Sequence, residues 1–206
     1  EADLLEAVEK KNFQKKHGAA FIKGNSTCDF DFSEQYYKGW NSNWNWTWQV
    51  QRSEFDKTLI DEVEKKGAIV LFESTVETVE FLNDKVLTTV SSKRGADTFE
   101  SKYIIDSSGY GRVLPRLLDL EKPSTLPSRS AFFTQIKDVN RSEGKDSSRI
   151  QVIIISEGVW VWLIPLDNGI TSVGFVGDVN LSEGTLNNEQ EFRVLIDSTG
   201  VLKERF

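Results

Sequence analysis

"YIIDSSGYGR", residues 103–112, runs an apolar segment straight into an acid, two serines and two glycines. An apolar run that stops at small residues predicts a buried strand, 103–106, whose carboxyl end opens into a tight turn. Ser107, Ser108 and Gly109 let backbone approach a ligand closely, and Gly111 permits the turn into the segment beginning at Arg112. In open α/β sheets ligands bind at the carboxyl ends of strands, which is where Asp106 to Gly111 would stand. The same four letters also suit a surface turn after any strand, so the neighbouring segments have to decide.

Upstream, Ser53 predicts a helix start with Asp56 three positions on, as in a capping box. Phe55, Leu59 and Val63 recur on one stripe, and Gly67 lies beyond the end. "AIVLF" (68–72) reads as a short buried strand. Residues 75–82 and 85–92 read as a hairpin around Asn83-Asp84, with a further turn at "KRGAD" (93–97). Helix, buried strand, meander and apolar strand in this order predict the second half of a dinucleotide-binding domain over 51–122.

The flanks read differently. A helix is expected over 2–11, and "AAFIK" (19–23) and "CDFDF" (28–32) alternate as strands. "WNSNWNWTWQVQ" (40–51) alternates strictly: Trp44, Trp46, Trp48 and Val50 fall on one face, and Asn43, Asn45, Thr47, Gln49 and Gln51 on the other. After the link "EKPSTLPS" (121–128), strands are expected near 130–137, 149–156, 159–165 and 170–176, the last three as an antiparallel meander. Within it, "GVWVWLIPL" (158–166) is apolar on both faces, which predicts a strand covered on both sides. The expected fold class is mixed α/β (α+β): an incomplete Rossmann-like domain over 51–122, and an antiparallel-sheet substrate domain built from 1–50 and 123–206.

Composition narrows the function classes. Six tryptophans and 13 phenylalanines in 206 residues supply a substantial core, so disorder is not expected. The formal net charge of −7, without a basic block, argues against nucleic acid or an anionic membrane as partner. No apolar run approaches the roughly 20 residues that span a bilayer. A single cysteine, Cys28, cannot form an intrachain disulfide, which suits a reducing cytoplasm; one cysteine with one histidine makes a metal site unexpected. The chain has no methionine, begins inside a helical pattern and ends at "LKERF" without a cap, so a fragment of a longer protein is expected.

The motifs now converge. "VQRSEFD" opens the predicted helix with Val50, Arg52, Phe55 and Asp56; Asp106, Ser108 and Gly109 end the predicted strand; Trp160, Trp162, Ile164 and Pro165 form W-x-W-x-I-P. This set, in this order over nearly the whole chain, resembles the flavin-dependent halogenases. These belong to the p-hydroxybenzoate-hydroxylase-like flavoproteins, which also include geranylgeranyl reductases. The resemblance implies FAD as cofactor, with Val50, Arg52, Asp106, Ser108 and Gly109 as its binding residues. It also implies a small organic substrate, a separate flavin reductase as partner, and Trp160, Trp162, Ile164 and Pro165 as a wall beside the flavin. The family's K-x-G-A-x-F context is matched by Lys16, Gly18, Ala19 and Phe21. It implies that Lys16 is the lysine to which hypohalous acid travels after reduced flavin has reacted with oxygen and halide. The G-x-G-x-x-G turn that opens such flavoproteins is absent, as is their later G-D segment.

Other readings stay open at this stage. Lys10, Lys11, Lys15 and Lys16 also read as one solvated basic face. The scaffold also suits a reductase of isoprenoid-like lipids, and the "WNWTW" strand suits a carbohydrate-binding β module.

Overall fold

The computed structural model describes residues 3–34, 45–178 and 189–206. Asn43 and Trp44 of the alternating aromatic run lie outside them. The chain divides into two compact units, one formed by Glu1–Lys65 with Pro127–Phe206 and the other by Lys66–Leu126.

The first unit contains helix α1 (Leu5–Glu9), strands β1 (Gln14–Lys16), β2 (Gly18–Lys23), β3 (Ser26–Asp31) and β4 (Thr47–Gln49), and helix α2 (Arg52–Lys65). The second unit contributes β5 (Thr75–Phe81), β6 (Val86–Ser92), β7 (Gly95–Ser101) and helix α3 (Val113–Leu117). The chain then returns to the first unit with β8 (Ser130–Lys137), β9 (Ile150–Ser156), β10 (Val159–Pro165), β11 (Ile170–Gly177), α4 (Glu189–Ser198) and α5 (Gly200–Arg205).

Six strands of the first unit form one sheet in the order β3-β2-β9-β10-β11-β8. The β9-β10-β11 meander lies where the alternation puts it, and β8 adds antiparallel to β11. The pairing of β2 with β9 is parallel, which no local pattern announces. One face of this sheet is packed against α4 and α5. Val161 and Leu163 of β10 and Val173 and Phe175 of β11 meet Phe192, Ile196 and Leu202 there. Phe192 sits edge-on to both Phe132 (5.2 Å) and Phe175 (5.5 Å). Each such buried side chain contributes about 1.5–3 kcal/mol of transfer free energy.

The opposite face corrects the expectation that β10 is covered on both sides. Trp160, Trp162 and Ile164 are only half-buried, and Phe133 on the same face is 63% exposed. Strand alternation places them together, since Trp162 pairs with Gly174 and Gly174 with Phe133.

Helix α2 also starts differently. Arg52, not Ser53, is its first residue, and the Gln51 carbonyl accepts from the amides of Glu54 (3.1 Å) and Phe55 (2.9 Å). Asp56 therefore closes no capping box. It takes up Arg52 one turn earlier, because i,i+4 neighbours stack on one helix face.

In the second unit β5, β6 and β7 form an antiparallel meander. The runs 68–72 and 103–106 are not strands, contrary to their patterning. A strand exists only through the ladder it makes with a neighbour, and no described strand pairs with either run. Their side chains are accordingly exposed, Ile69 at 84% and Ile105 at 87%. They keep the composition of strands without the pairing.

Candidate functional site

In the first unit, β1 and β4 form a short ribbon in which Lys16 stands opposite Thr47, Lys15 opposite Trp48 and Gln14 opposite Gln49. Alternation therefore sends Lys15 and Lys16 to opposite faces. Lys15 places its ammonium 4.4 Å over the ring of Trp46, which meets Trp48 edge-on at 4.9 Å. Lys16 is half-buried, with its Nζ 5.5 Å from the ring centre of Phe32. Phe32 is held beside it by donating its amide to the His17 carbonyl (2.9 Å). Burial pushes the Lys16 ammonium below the ordinary lysine range, because desolvation disfavours its charged form.

The neighbouring lysines differ. Lys10 pairs with Glu6 (2.7 Å) and Lys11 with Glu54 (3.0 Å). The four lysines thus do not form one solvated face.

On β10, Trp162 has a built seat. Its Nε1 donates to the Ser172 hydroxyl (3.2 Å), and Phe133 leans on it at 5.8 Å with a 42° tilt. A Cβ at position 174 would fall inside the indole, so only glycine leaves room for the ring to lie on β11. Pro165 at the strand end is fully buried, and its carbonyl accepts from Gln49 Nε2.

Gln49 and Gln51 are spent inside the fold. Gln49 is 5% exposed and also donates to the Ser148 carbonyl (3.2 Å), while Gln51 donates to Asp167 (3.0 Å). An amide face offered to sugar hydroxyls, as a carbohydrate module requires, is not available at these two positions. Sequence reasoning missed these tethers, Phe32 and the Ser172–Gly174 seat. The one local signal was Gly174, since a glycine in a strand interior marks a close approach.

Val50 is half-buried just beyond β4, and Arg52 projects from the first turn of α2. The Arg52 guanidinium grips Asp56 through Nε (2.9 and 3.1 Å) and Nη2 (2.9 Å). Its Nη1 has no partner among the described residues, so one edge of the fork remains for an anion.

In the second unit Asp106 organises the turn that follows it. Its carboxylate accepts from the amides of Ser108 (2.8 Å) and Leu114 (3.0 Å), and the Ser108 hydroxyl accepts from the Val113 amide (2.9 Å). Hydrogen bonds from Ser108, side chain first and then backbone, with one from Leu114, hold the Asp106 carboxyl below the usual carboxylate range. Gly109 has φ +55°, and a Cβ there would meet nothing within 4 Å, leaving the backbone open to a ligand. Asp106 thus shapes the turn and the start of α3, while the accessible surface at 108–111 is backbone and Tyr110. The exposed guanidinium edge of Arg52 and the open turn at Gly109 are each compatible with a phosphate-bearing cofactor such as FAD.

Comparison with known proteins defines the class. The tryptophan halogenase family profile matches residues 6–202, and the chain belongs to that family. It is 28% identical to the 1H-pyrrole-2-carbonyl-[peptidyl-carrier protein] chlorinase of Pseudomonas fluorescens, over 93% of this chain and 47% of that protein. It is also 28% identical to the tryptophan 2-halogenase of Chondromyces crocatus, over 84% of this chain and 33% of that enzyme. Among solved structures, a flavoprotein/dehydrogenase from Cytophaga hutchinsonii matches with a TM-score of 0.88 and 44% identity, over 98% of this chain and 49% of that one. The flavin-dependent halogenase CmlS matches with a TM-score of 0.80 and 30% identity, over 97% of this chain and 36% of that one. The chain therefore spans about half, or less, of the length of these relatives. The family is one of FAD-dependent enzymes whose solved members carry a Rossmann-like FAD-binding fold, and this chain shares their mixed α/β class. No helix among the described residues is long and apolar enough to cross a membrane.

Proposed function

We propose that the protein to which this chain belongs is an FAD-dependent halogenase of a small organic substrate, with Lys16 as the residue that delivers halogen. The observation that carries this reading is the state of Lys16. It is half-buried, depressed in basicity by desolvation, and has no acidic partner among the described residues, while Lys10 and Lys11 are paired at the surface. An ammonium held away from carboxylates keeps its hydrogen-bond donors for an incoming reagent.

FAD, when bound and reduced, supplies the oxidising chemistry that converts oxygen and halide to hypohalous acid, with the electrons coming from a separate flavin reductase. Lys16 then donates a hydrogen bond to the oxygen of that acid. An electron-rich carbon of the substrate attacks the halogen, the halogen–oxygen bond breaks, and the displaced proton leaves with that oxygen as water. The seated indole of Trp162, with Trp160 and Ile164 on the same face and Pro165 buried behind them at the strand end, would separate the substrate from the cofactor. In the first unit Arg52, two residues after Val50, would hold a cofactor phosphate through its free Nη1. In the second unit, taken by itself, the backbone at Ser108 and Gly109, shaped by Asp106, would offer close approach to such a group.

The test uses the complete protein carrying FAD, supplied with a flavin reductase, bromide or chloride, and pyrrole, phenol and indole as electron-rich probes. Halogenated product that disappears in Lys16→Ala while oxygen uptake persists is the expected result. Oxidation of reduced flavin that never incorporates halide into any probe overturns it. A flavoprotein dehydrogenase would then replace the halogenase, a second reading favoured by the 44% identity to the Cytophaga hutchinsonii protein.

A further inference from the structure

We propose that Gln49 is a positioning residue for halogenation: its buried amide fastens the ribbon bearing Lys16 to the end of the Trp160–Pro165 strand, and so sets where the lysine amine stands. The inference rests on the reading of Lys16 given above.

The ribbon needs such a fastening. It has three residue pairs, and neither β1 nor β4 is paired with any strand of the six-stranded sheet. A ladder this short does not hold a fixed geometry by itself. Gln51 grips the loop after β10 through Asp167, but Gln49 grips the strand itself, at the carbonyl of Pro165, and the Ser148 carbonyl just before β9. Because Gln14 faces Gln49 and Lys16 faces Thr47, Lys16 and Gln49 share one face of the ribbon.

The orientation of the amide is forced. Both groups it meets are carbonyl oxygens, so the nitrogen must face them, and a flipped amide would set three oxygens together. Gln49 Oε1 is then buried with no hydrogen-bond partner. An apolar side chain of equal size would fill the place without leaving that orphan. Departures from polar satisfaction concentrate where geometry serves function. What the glutamine supplies, and an apolar residue does not, is a directed bond between the lysine-bearing ribbon and the tryptophan-bearing strand.

The experiment compares Gln49→Met, which keeps volume and loses both donors, with Gln49→Glu, which can donate only when protonated. Both are made in the complete protein carrying FAD. In Gln49→Met, halogenated product per oxygen consumed should fall roughly ten- to a hundred-fold, the scale on which small misplacements act, while FAD content is retained. In Gln49→Glu the same ratio should recover as pH is lowered, a dependence that Gln49→Met lacks. Without any turnover, acylation of Lys16 by an activated ester, followed by peptide mass, should quicken about three-fold in Gln49→Met as the ribbon loosens locally, with Lys93, far from the ribbon in sequence, unchanged. Parental coupling and parental Lys16 acylation in Gln49→Met overturn the proposal. Equal acceleration at Lys93 and Lys16 overturns it too, because Gln49 would then support the fold in general. Should Gln49→Met not fold, the pH response of Gln49→Glu decides: coupling that ignores pH overturns the assignment. Lys16→Ala in the same assay separates the two claims. Product that survives Lys16→Ala removes the underlying reading, whereas loss in Lys16→Ala with parental coupling in Gln49→Met removes only the role of Gln49.

Discussion

Trp162 lies on Gly174. The indole of one strand occupies the space that a side chain on the next would need, while Ser172 takes its N–H and Phe133 bounds it. A large apolar ring on the less covered face of a sheet is thereby fixed in orientation. A wall needs that property and a merely space-filling tryptophan does not.

Gly174→Ala should therefore tip the indole and destabilise the protein by about 1–3 kcal/mol, as overpacking does. Thermal melting and the tryptophan emission maximum report both effects. Adding Trp162→Phe should restore part of the loss, because neighbours sharing one space are not additive. Full additivity in the double variant would show that the ring does not occupy that seat.

Lys16 offers a prediction independent of catalysis. Its folded pKa lies below that of a free lysine, so the unfolded chain binds the proton more tightly. Stability therefore rises with pH in the window between the lowered folded value and the ordinary one near 10.4. Lys16→Met should remove that rise and melt no lower than the parent at neutral pH, while halide incorporation is lost. Lys16→Arg should also fail to incorporate halide, because a guanidinium is larger and stays charged. Identical alkaline stability profiles in parent and Lys16→Met would contradict the burial of the amine.

Arg52 sits fully on the surface of α2, where its pair with Asp56 contributes little to stability. Arg52→Ala should leave the melting temperature of the flavin-free complete protein nearly unchanged and weaken FAD retention. Equilibrium dialysis of FAD against both proteins tests this; equal affinity would confine Arg52 to its helix pair.

Asp138 concerns stability at acid pH. Burial alone would raise its pKa, but hydrogen bonds from Arg205 and Thr171 and the charges of Arg205 and Arg141 outweigh that and lower it. Its Oδ2 accepts from Arg205 Nη2 and from Thr171 Oγ1, both at 2.6 Å. A depressed carboxylate pKa stabilises the fold above the ordinary value near 3.9, and this contribution is lost as pH falls through the lower folded value. Asp138→Asn should cost about 3–5 kcal/mol, because Arg205 would remain buried without its counter-charge. Its denaturation midpoint should also lose part of the parent's acid sensitivity, measurable by urea unfolding between neutral and acid pH.

The sequence by itself determined the elements whose reasons are local. Alternation over 130–176 placed four strands, because a sheet with one buried face imposes a period of two on its own residues. The Asn83-Asp84 turn placed the β5–β6 hairpin, and the stripe of Phe55, Leu59 and Val63 marked the helix, though Ser53 was not its first residue. The W-x-W-x-I-P and K-x-G-A-x-F motifs were legible for the same reason, since each lies in consecutive residues. Tertiary structure alone decided what depends on distant partners. The apolar runs at 68–72 and 103–106 carry strand composition but pair with no strand among the described residues, because pairing is a property of two segments. The parallel junction of β2 with β9, the turning of Lys15 and Lys16 to opposite faces, and the seat of Trp162 on Gly174 all follow from register. Gln49 is the plainest case. Alternation assigned it to a polar face, but only the arrival of Ser148 and Pro165, 99 and 116 residues further along the chain, buried it and fixed its bonds.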